Sequence, residues 1–304
     1  MKSYQRIFLF LVLVLLLTAL LSPWAAALWD SIIEARPQWQ AYRPSFSHIF
    51  GRLFMILGVI LFFPCRSLLK IQSAGQLGLK PIRNGYYDIS RGFLTALASL
   101  ITIVFFMSLL EVFTPFFRLS LSAAMERSLK ALLTALTVGF FEEIFFRGVI
   151  FKGLLEDCKP AAAFALSSLF YSAVHFIKPA ESIPLSGLDP WAGMRYLIAS
   201  FRPFLDLVAI FPGLFGLFLI GIVLSYAFLR TGSLYLSMGL HAGWVFGLKS
   251  VRIYGDFRRE DLGWLFGSSE PKLVSGVASW IGIVAVGVAV YWITRNRQKL
   301  NFKF

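Results

Sequence analysis

Long apolar runs separated by short polar links make up most of the chain. They occupy residues 7–21, 49–63, 93–113, 129–155, 161–177, 205–229, 234–248 and 273–293. Most approach the length of about 17 to 25 residues that an α-helix needs to cross a bilayer. Inside a membrane the backbone must satisfy its own hydrogen bonds, which favours helices. The pattern therefore predicts an all-α fold, a polytopic membrane helical bundle with about eight transmembrane helices.

Composition supports the same class. Hydrophobic residues make up 58% of the 304 residues and charged residues 15%, which is too apolar for a soluble domain of this size. No long polar block divides the chain, so we expect a single membrane domain over residues 1–304. A basic start and small residues after the first run also suit a cleavable signal peptide. The apolar character continues to Leu28 and Trp29, which favours a retained first helix.

The net charge of +13 arises from basic residues in the links and tails. This placement predicts contact with anionic membrane lipid and no nucleic-acid partner. The basic connector at residues 66–91 is typical of a segment on the membrane surface, and with the basic C-terminal tail it favours cytoplasmic termini. Cys65 and Cys158 have no CxxC neighbour, so we expect neither a disulfide framework nor a thiolate metal site.

The fourth run contains Glu142, Glu143 and Arg147 within six positions. A charge at membrane depth costs from about 2.5 to more than 10 kcal/mol, so such residues indicate a function. Glu143 and Arg147 lie four apart on one helical face and can pair, whereas Glu142 is turned by about 100°. Glu142 is therefore the candidate general base. For the Glu143–Arg147 pair alone, an interhelical clamp is an equally good interpretation.

His175 and His241 lie deep in two other apolar runs, and we expect both to face the bundle interior at the depth of Glu142. Three such helices would form a polar chamber that holds a water molecule. The water could be activated by Glu142 directly, or by a divalent metal such as zinc with Glu142, His175 and His241 as candidate ligands. Taken singly, either histidine is also compatible with a packing role.

In these motifs the chain resembles the CAAX-processing endopeptidase and bacteriocin-processing (CPBP, Abi) family of intramembrane proteases. Glu142-Glu143-x-x-x-Arg147 matches the family's EExxxR motif, Tyr171-x-x-x-His175 its FxxxH motif, and His241 opens its HxxxN motif. The similarity covers about residues 129–248. Three motifs in order on separate runs are more specific than EExxxR alone.

The resemblance implies an intramembrane endopeptidase that hydrolyses a peptide bond of a membrane-associated protein or peptide with a C-terminal tail or transmembrane segment. By position, Glu142 would activate water, Glu143 and Arg147 would orient and balance it, and His175 and His241 would complete the site. The family's activity has been described both with and without an obligatory metal. We expect a multi-pass integral protein of the bacterial cytoplasmic (inner) membrane.

Two positions depart from the family pattern. Tyr171 stands in place of the usual phenylalanine, and Val245 in place of the asparagine that would help to hold the oxyanion. Tyr171, Ser172 and Ser237 are the substitute donors that the sequence offers. Val245 also supports an alternative, a non-catalytic membrane scaffold or bacteriocin-immunity-type protein that retains the polar core. A proton-coupled transporter is a third hypothesis, but the sequence contains no second EExxxR-like segment.

Overall fold

A computed structural model describes residues 1–117, 119–177, 188–259, 261–267 and 273–297, and these residues are almost entirely helical. The α-helices are α1 (Ser3–Ala35), α2 (Phe46–Cys65), α3 (Gly85–Leu109), α4 (Leu121–Glu143), α5 (Lys152–Asp157), α6 (Pro160–Val174), α7 (Ala192–Ala199), α8 (Leu207–Thr231), α9 (Tyr235–Ile253), α10 (Gly263–Phe266) and α11 (Val277–Thr294). Two short strands, β1 (Phe113–Pro115) and β2 (Gly255–Phe257), pair antiparallel with Phe113 opposite Phe257. The all-α prediction is confirmed.

Five helices among the described residues are long and apolar enough to cross a membrane, namely α1, α2, α3, α8 and α11. They confirm the prediction of a polytopic membrane protein. The other three predicted spans are also helical, in α4, α6 and α9. Of these three, α4 carries Glu142 and Glu143 and α9 carries His241, whereas α6 has only 15 residues and ends before His175. The count of eight transmembrane helices stays a prediction.

The chain divides into two compact units, each built from two sequence segments. The first comprises Met1–Gln72 and Ala173–Ile210. In it α1 packs on α2 and α7, and Gly193 of α7 sits so close to α1 that an added Cβ would lie 1.9 Å from the carbonyl oxygen of Ala19. The prediction of a single membrane domain is not tested by this division and stays a prediction.

The second unit comprises Ser73–Ser172 and Phe211–Phe304, and within it α9 packs along both α3 and α4. Small residues permit this close approach, as is common between membrane helices. A Cβ added to Gly239 of α9 would lie 2.1 Å from the carbonyl oxygen of Ile89 in α3. On the other side of α9, a Cβ added to Gly139 of α4 would lie 3.1 Å from the carbonyl oxygen of Met238.

Two local features differ from the sequence prediction. The predicted span at residues 129–155 is not one continuous α-helix, because a π-helical segment, Ile144–Phe151, follows Glu143. The π-helix is a rare, wider coil that recurs at functional sites, and no apolar period announces it. The basic connector also makes specific contacts with protein in part of its length, where Gly78 accepts a hydrogen bond from the backbone N–H of Leu234 at 3.1 Å.

Candidate active site

Glu143 lies at the centre of a buried charged cluster in the second unit. Its Oε1 accepts a hydrogen bond from Arg147 Nη1 at 2.7 Å and lies 2.9 Å from His241 Nδ1. The side chains of Glu143, Arg147 and His241 are 0%, 1% and 4% exposed. Opposite an ionised carboxylate, Nδ1 of the imidazole carries the proton, so Glu143 fixes the orientation of the His241 ring.

Helix packing brings the two motifs together. Gly139 lies one turn before Glu143 on α4, and it meets α9 at Met238 and Ala242, on either side of His241. A larger side chain at Gly139 would push α4 away from α9 and lengthen the contact between Glu143 and His241. The hydroxyl of Ser237, one turn before His241, faces Glu143 and donates to the carbonyl of Leu234 at 2.9 Å.

Arg147 is held by partners on three further sides. Its guanidinium lies 4.6 Å from the centre of the Tyr171 ring and 5.8 Å from that of Phe146, both within cation–π range. Nη2 donates to the carbonyl of Gly221 in α8 at 3.4 Å. The Tyr171 ring also stands edge-on to His241, with ring centres 6.1 Å apart. The residue that replaces the family's phenylalanine is thus part of the cluster.

Glu142 has a different environment from its neighbour. Its side chain is 33% exposed, and its Oε2 lies 3.8 Å from His241 Nε2. This separation is longer than a direct hydrogen bond, and polar groups at such distances are often bridged by water. His241 therefore connects the two carboxylates, with Nδ1 towards Glu143 and Nε2 towards Glu142.

The remaining predicted residues are His175, Ser172 and Val245. His175 follows the last residue of α6 in a turn, with an exposed side chain, and belongs to the first unit. The helix of the predicted span therefore ends before His175, at Val174, and the role of His175 in the site stays a prediction. Ser172 is fully buried and donates to the carbonyl of Leu169 at 3.2 Å. Val245 lies one turn after His241 on α9 and is partly buried.

The donor set does not fit a resident zinc ion. Among the described residues, no three or more His, Cys, Asp or Glu side chains gather in a way that could hold a metal. A zinc ion requires at least three protein ligands. In this cluster only Glu142 Oε2 and His241 Nε2 point towards a common position, because Nδ1 of His241 is occupied by Glu143. Cys65 and Cys158 are free thiols.

Sequence reasoning missed one contact within the cluster and one of its members. The Glu143–His241 contact joins residues 98 positions apart, and no local spacing reveals it. The carbonyl of Gly221 is a backbone group, so residue type carries no signal for it. The packing around Gly221 could have been suspected, because glycine in an apolar helix often marks close approach. A Cβ at Gly221 would lie 2.8 Å from that of Ser168 in α6.

Comparison with known families agrees with the motifs. Residues 124–247 match the family described as type II CAAX prenyl endopeptidase Rce1-like. Neither the curated proteins nor the solved structures contain a match to the chain. The matched segment includes Glu142, Glu143, Arg147, Tyr171, His175 and His241. The segment that holds the buried cluster therefore matches the model of this family, as the resemblance had indicated.

Proposed function

We propose that this protein is an intramembrane endopeptidase in which Glu142 activates a water molecule. The observation that carries the proposal is the contrast between two adjacent carboxylates. Glu143 is fully buried and bonded to Arg147 and His241, whereas Glu142 is partly exposed and faces His241 Nε2. Of the two carboxylates only Glu142 belongs to a partly exposed side chain, while its Oε2 is buried facing His241, so we assign Glu142 as the base and Glu143 as the group that orients the histidine.

In the reaction that we propose, Glu142 takes a proton from water while the water oxygen bonds to the carbon of the scissile carbonyl. The carbonyl π electrons move to its oxygen, which becomes an oxyanion. The oxyanion electrons then re-form the carbonyl as the C–N bond breaks, and the proton on Glu142 passes to the leaving amide nitrogen. The products are a new carboxyl terminus and a free amine, so atoms and charge balance without another reactant.

Protonated His241 is the proposed donor to the oxyanion. Glu143 accepts from Nδ1, which leaves Nε2–H directed towards the position between His241 and Glu142. With Glu142, Glu143 and Arg147 all ionised, a protonated His241 makes the cluster electrically neutral, which suits a buried site. Preorganised donors of this kind are worth about 2.7 to 4 kcal/mol of transition-state stabilisation.

The test is Glu142→Gln in protein reconstituted in liposomes. The probe is a quenched fluorescent peptide ending in a CAAX sequence, offered with and without a farnesyl group. We expect wild-type protein to cleave it and Glu142→Gln to lose about a hundredfold to ten-thousandfold in rate, as for removal of a general base. A variant that cleaves at the wild-type rate would refute the role of Glu142. Cleavage of only one probe form would define whether the lipid is recognised.

The proposed substrate is a membrane-associated protein or peptide with a C-terminal tail or transmembrane segment. The proposed location is the bacterial cytoplasmic membrane. Comparing newly formed C-termini in cells that express wild type or Glu142→Gln would identify substrates. We expect some new C-termini to be found only in cells that express the wild-type protein.

A non-catalytic scaffold remains the second candidate, and Val245 favours it. Its apolar side chain, one turn after His241, adds no hydrogen-bond donor where the family places an amide. For a scaffold, wild type and Glu142→Gln would capture the same partner, produce no cleaved product and have equal biological activity. Cleavage by the wild type alone excludes this reading.

A further inference from the structure

Residues 76–80, in the connector before α3, contact both helices that carry the acidic and histidine motifs. We name this segment the brace. It lies in the second unit together with the buried cluster. It contains none of the motif residues, and its sequence, Gln-Leu-Gly-Leu-Lys, carries no side chain with obvious catalytic chemistry.

On one side the brace packs against the π-helical segment Ile144–Phe151. Gly148, directly after Arg147, is buried so close to the brace that an added Cβ would lie 2.9 Å from the carbonyl oxygen of Leu77. One turn further along, Lys152 Nζ donates to the carbonyl of Gln76. Leu77 is itself only 6% exposed. Two contacts at consecutive brace residues thus fix the segment that carries Arg147.

On the other side the brace is attached to the start of α9. The backbone N–H of Leu234 donates to Gly78 at 3.1 Å, and the hydroxyl of Tyr235 donates to the carbonyl of Lys80. Lys80 Nζ donates to the carbonyl of Thr231 at 3.4 Å. Gly78 has φ +88°, a left-handed conformation that favours glycine, and it lies directly against the Phe228 ring.

We propose that the brace sets the position of Arg147 relative to His241, and that Gly148 and Lys152 are positioning residues for the reaction. This inference rests on the proposed function. Its physical basis is that the π-helix is a rare backbone conformation, and the contacts of the brace with Gly148 and Lys152 hold this one in place. A misplacement of about 1 Å among catalytic groups can reduce a rate by about a hundredfold.

The test compares Gly148→Ala and Lys152→Met with two controls, Lys152→Arg and Gly75→Ala. An added Cβ at Gly75 would meet only Ser73 Oγ, at 3.8 Å, so this substitution alters the same connector without a clash. With the farnesylated CAAX peptide in liposomes, we expect both test variants to lower kcat about tenfold to a hundredfold with unchanged KM. Lys152→Arg should restore the wild-type kcat, and Gly75→Ala should retain it.

Amide hydrogen exchange supplies a readout that does not need activity. Because the Leu234 N–H is held by Gly78, loosening the brace should speed exchange at Leu234 and across residues 144–151 in both test variants. If the test variants keep the wild-type kcat and the wild-type exchange rates, the proposed role of the brace is refuted. A lower kcat with unchanged exchange at Leu234 would refute it as well. If Gly148→Ala does not fold, the comparison of Lys152→Met with Lys152→Arg decides. If the wild type cleaves nothing, the proposed function fails and exchange alone decides on the brace.

Discussion

Glu142 and Glu143 are neighbours in sequence, but they differ in what surrounds them. Glu143 is fully buried and contacts Arg147 and His241, whereas a third of the Glu142 side chain is exposed. Their different surroundings follow from helical geometry, since consecutive residues point about 100° apart. That division was predictable from the sequence. The attachment of Glu143 to His241 was not, because it depends on how α4 meets α9.

Replacing Glu143 should therefore affect stability as well as activity. Glu143→Gln leaves the buried Arg147 without its compensating charge, and breaking a buried pair in this way costs about 3 to 5 kcal/mol. In detergent micelles, the melting temperature of Glu143→Gln should be clearly lower than that of the wild type, and the melting temperature of Glu142→Gln should change little. Equal melting temperatures for the two variants would mean that the charges of the pair are not coupled as the 2.7 Å contact indicates.

Val245 provides a gain-of-function test at the scale of a single residue. Val245→Asn would place an amide donor one turn after His241, where the family pattern has asparagine. If an oxyanion donor is what the site lacks, cleavage of the CAAX peptide should rise by up to about a hundredfold. Val245→Leu, which adds volume without a donor, is the matched control. A rate that stays at the wild-type value in Val245→Asn would show that His241 and other donors suffice.

At the scale of the elements, α9 places His241 through close contacts on two sides. Gly239 meets α3 at Ile89, and Gly139 of α4 meets α9 at Met238. Sequence periodicity located these helices to within several residues, because apolar runs have a local signal. It did not indicate the π-helical segment after Glu143 or the end of α6 before His175, since both depend on tertiary packing.

Gly239→Ala tests whether this close approach is required. The new methyl group would lie 2.1 Å from the backbone oxygen of Ile89, which cannot move independently of α3. We expect lower thermal stability and lost cleavage, because α9 must shift and carry His241 with it. Gly58→Ala in α2 is the control, since an added Cβ there has nothing within 4 Å. The replacement at Gly58 should be neutral or stabilising by up to about 1 kcal/mol. Equal effects at both sites would contradict the packing argument.

At the scale of the whole molecule, the family match covers residues 124–247 and draws on both compact units. The second unit also includes helices outside the match. In it α11, near the end of the chain, packs on α3, and Arg297 forms a two-pronged contact with Asp88. Nη1 donates to Oδ2 at 2.8 Å and Nη2 to Oδ1 at 2.5 Å. This contact joins the residues directly after α11 to α3, the helix on which α9 packs.

The Asp88–Arg297 contact should therefore stabilise the unit without contributing to chemistry. Asp88 is 9% exposed and Arg297 is 32% exposed, so the pair is shielded on one side only. We expect Arg297→Ala to lower the free energy of unfolding by about 1.5 to 3 kcal/mol, the range for hydrogen bonds to charged groups. Asp88→Ala and the double variant complete a cycle whose coupling energy isolates the pair. If the folded fraction of Arg297→Ala cleaves the CAAX peptide with reduced kcat, then α11 influences the site directly, and the separation of support from chemistry fails.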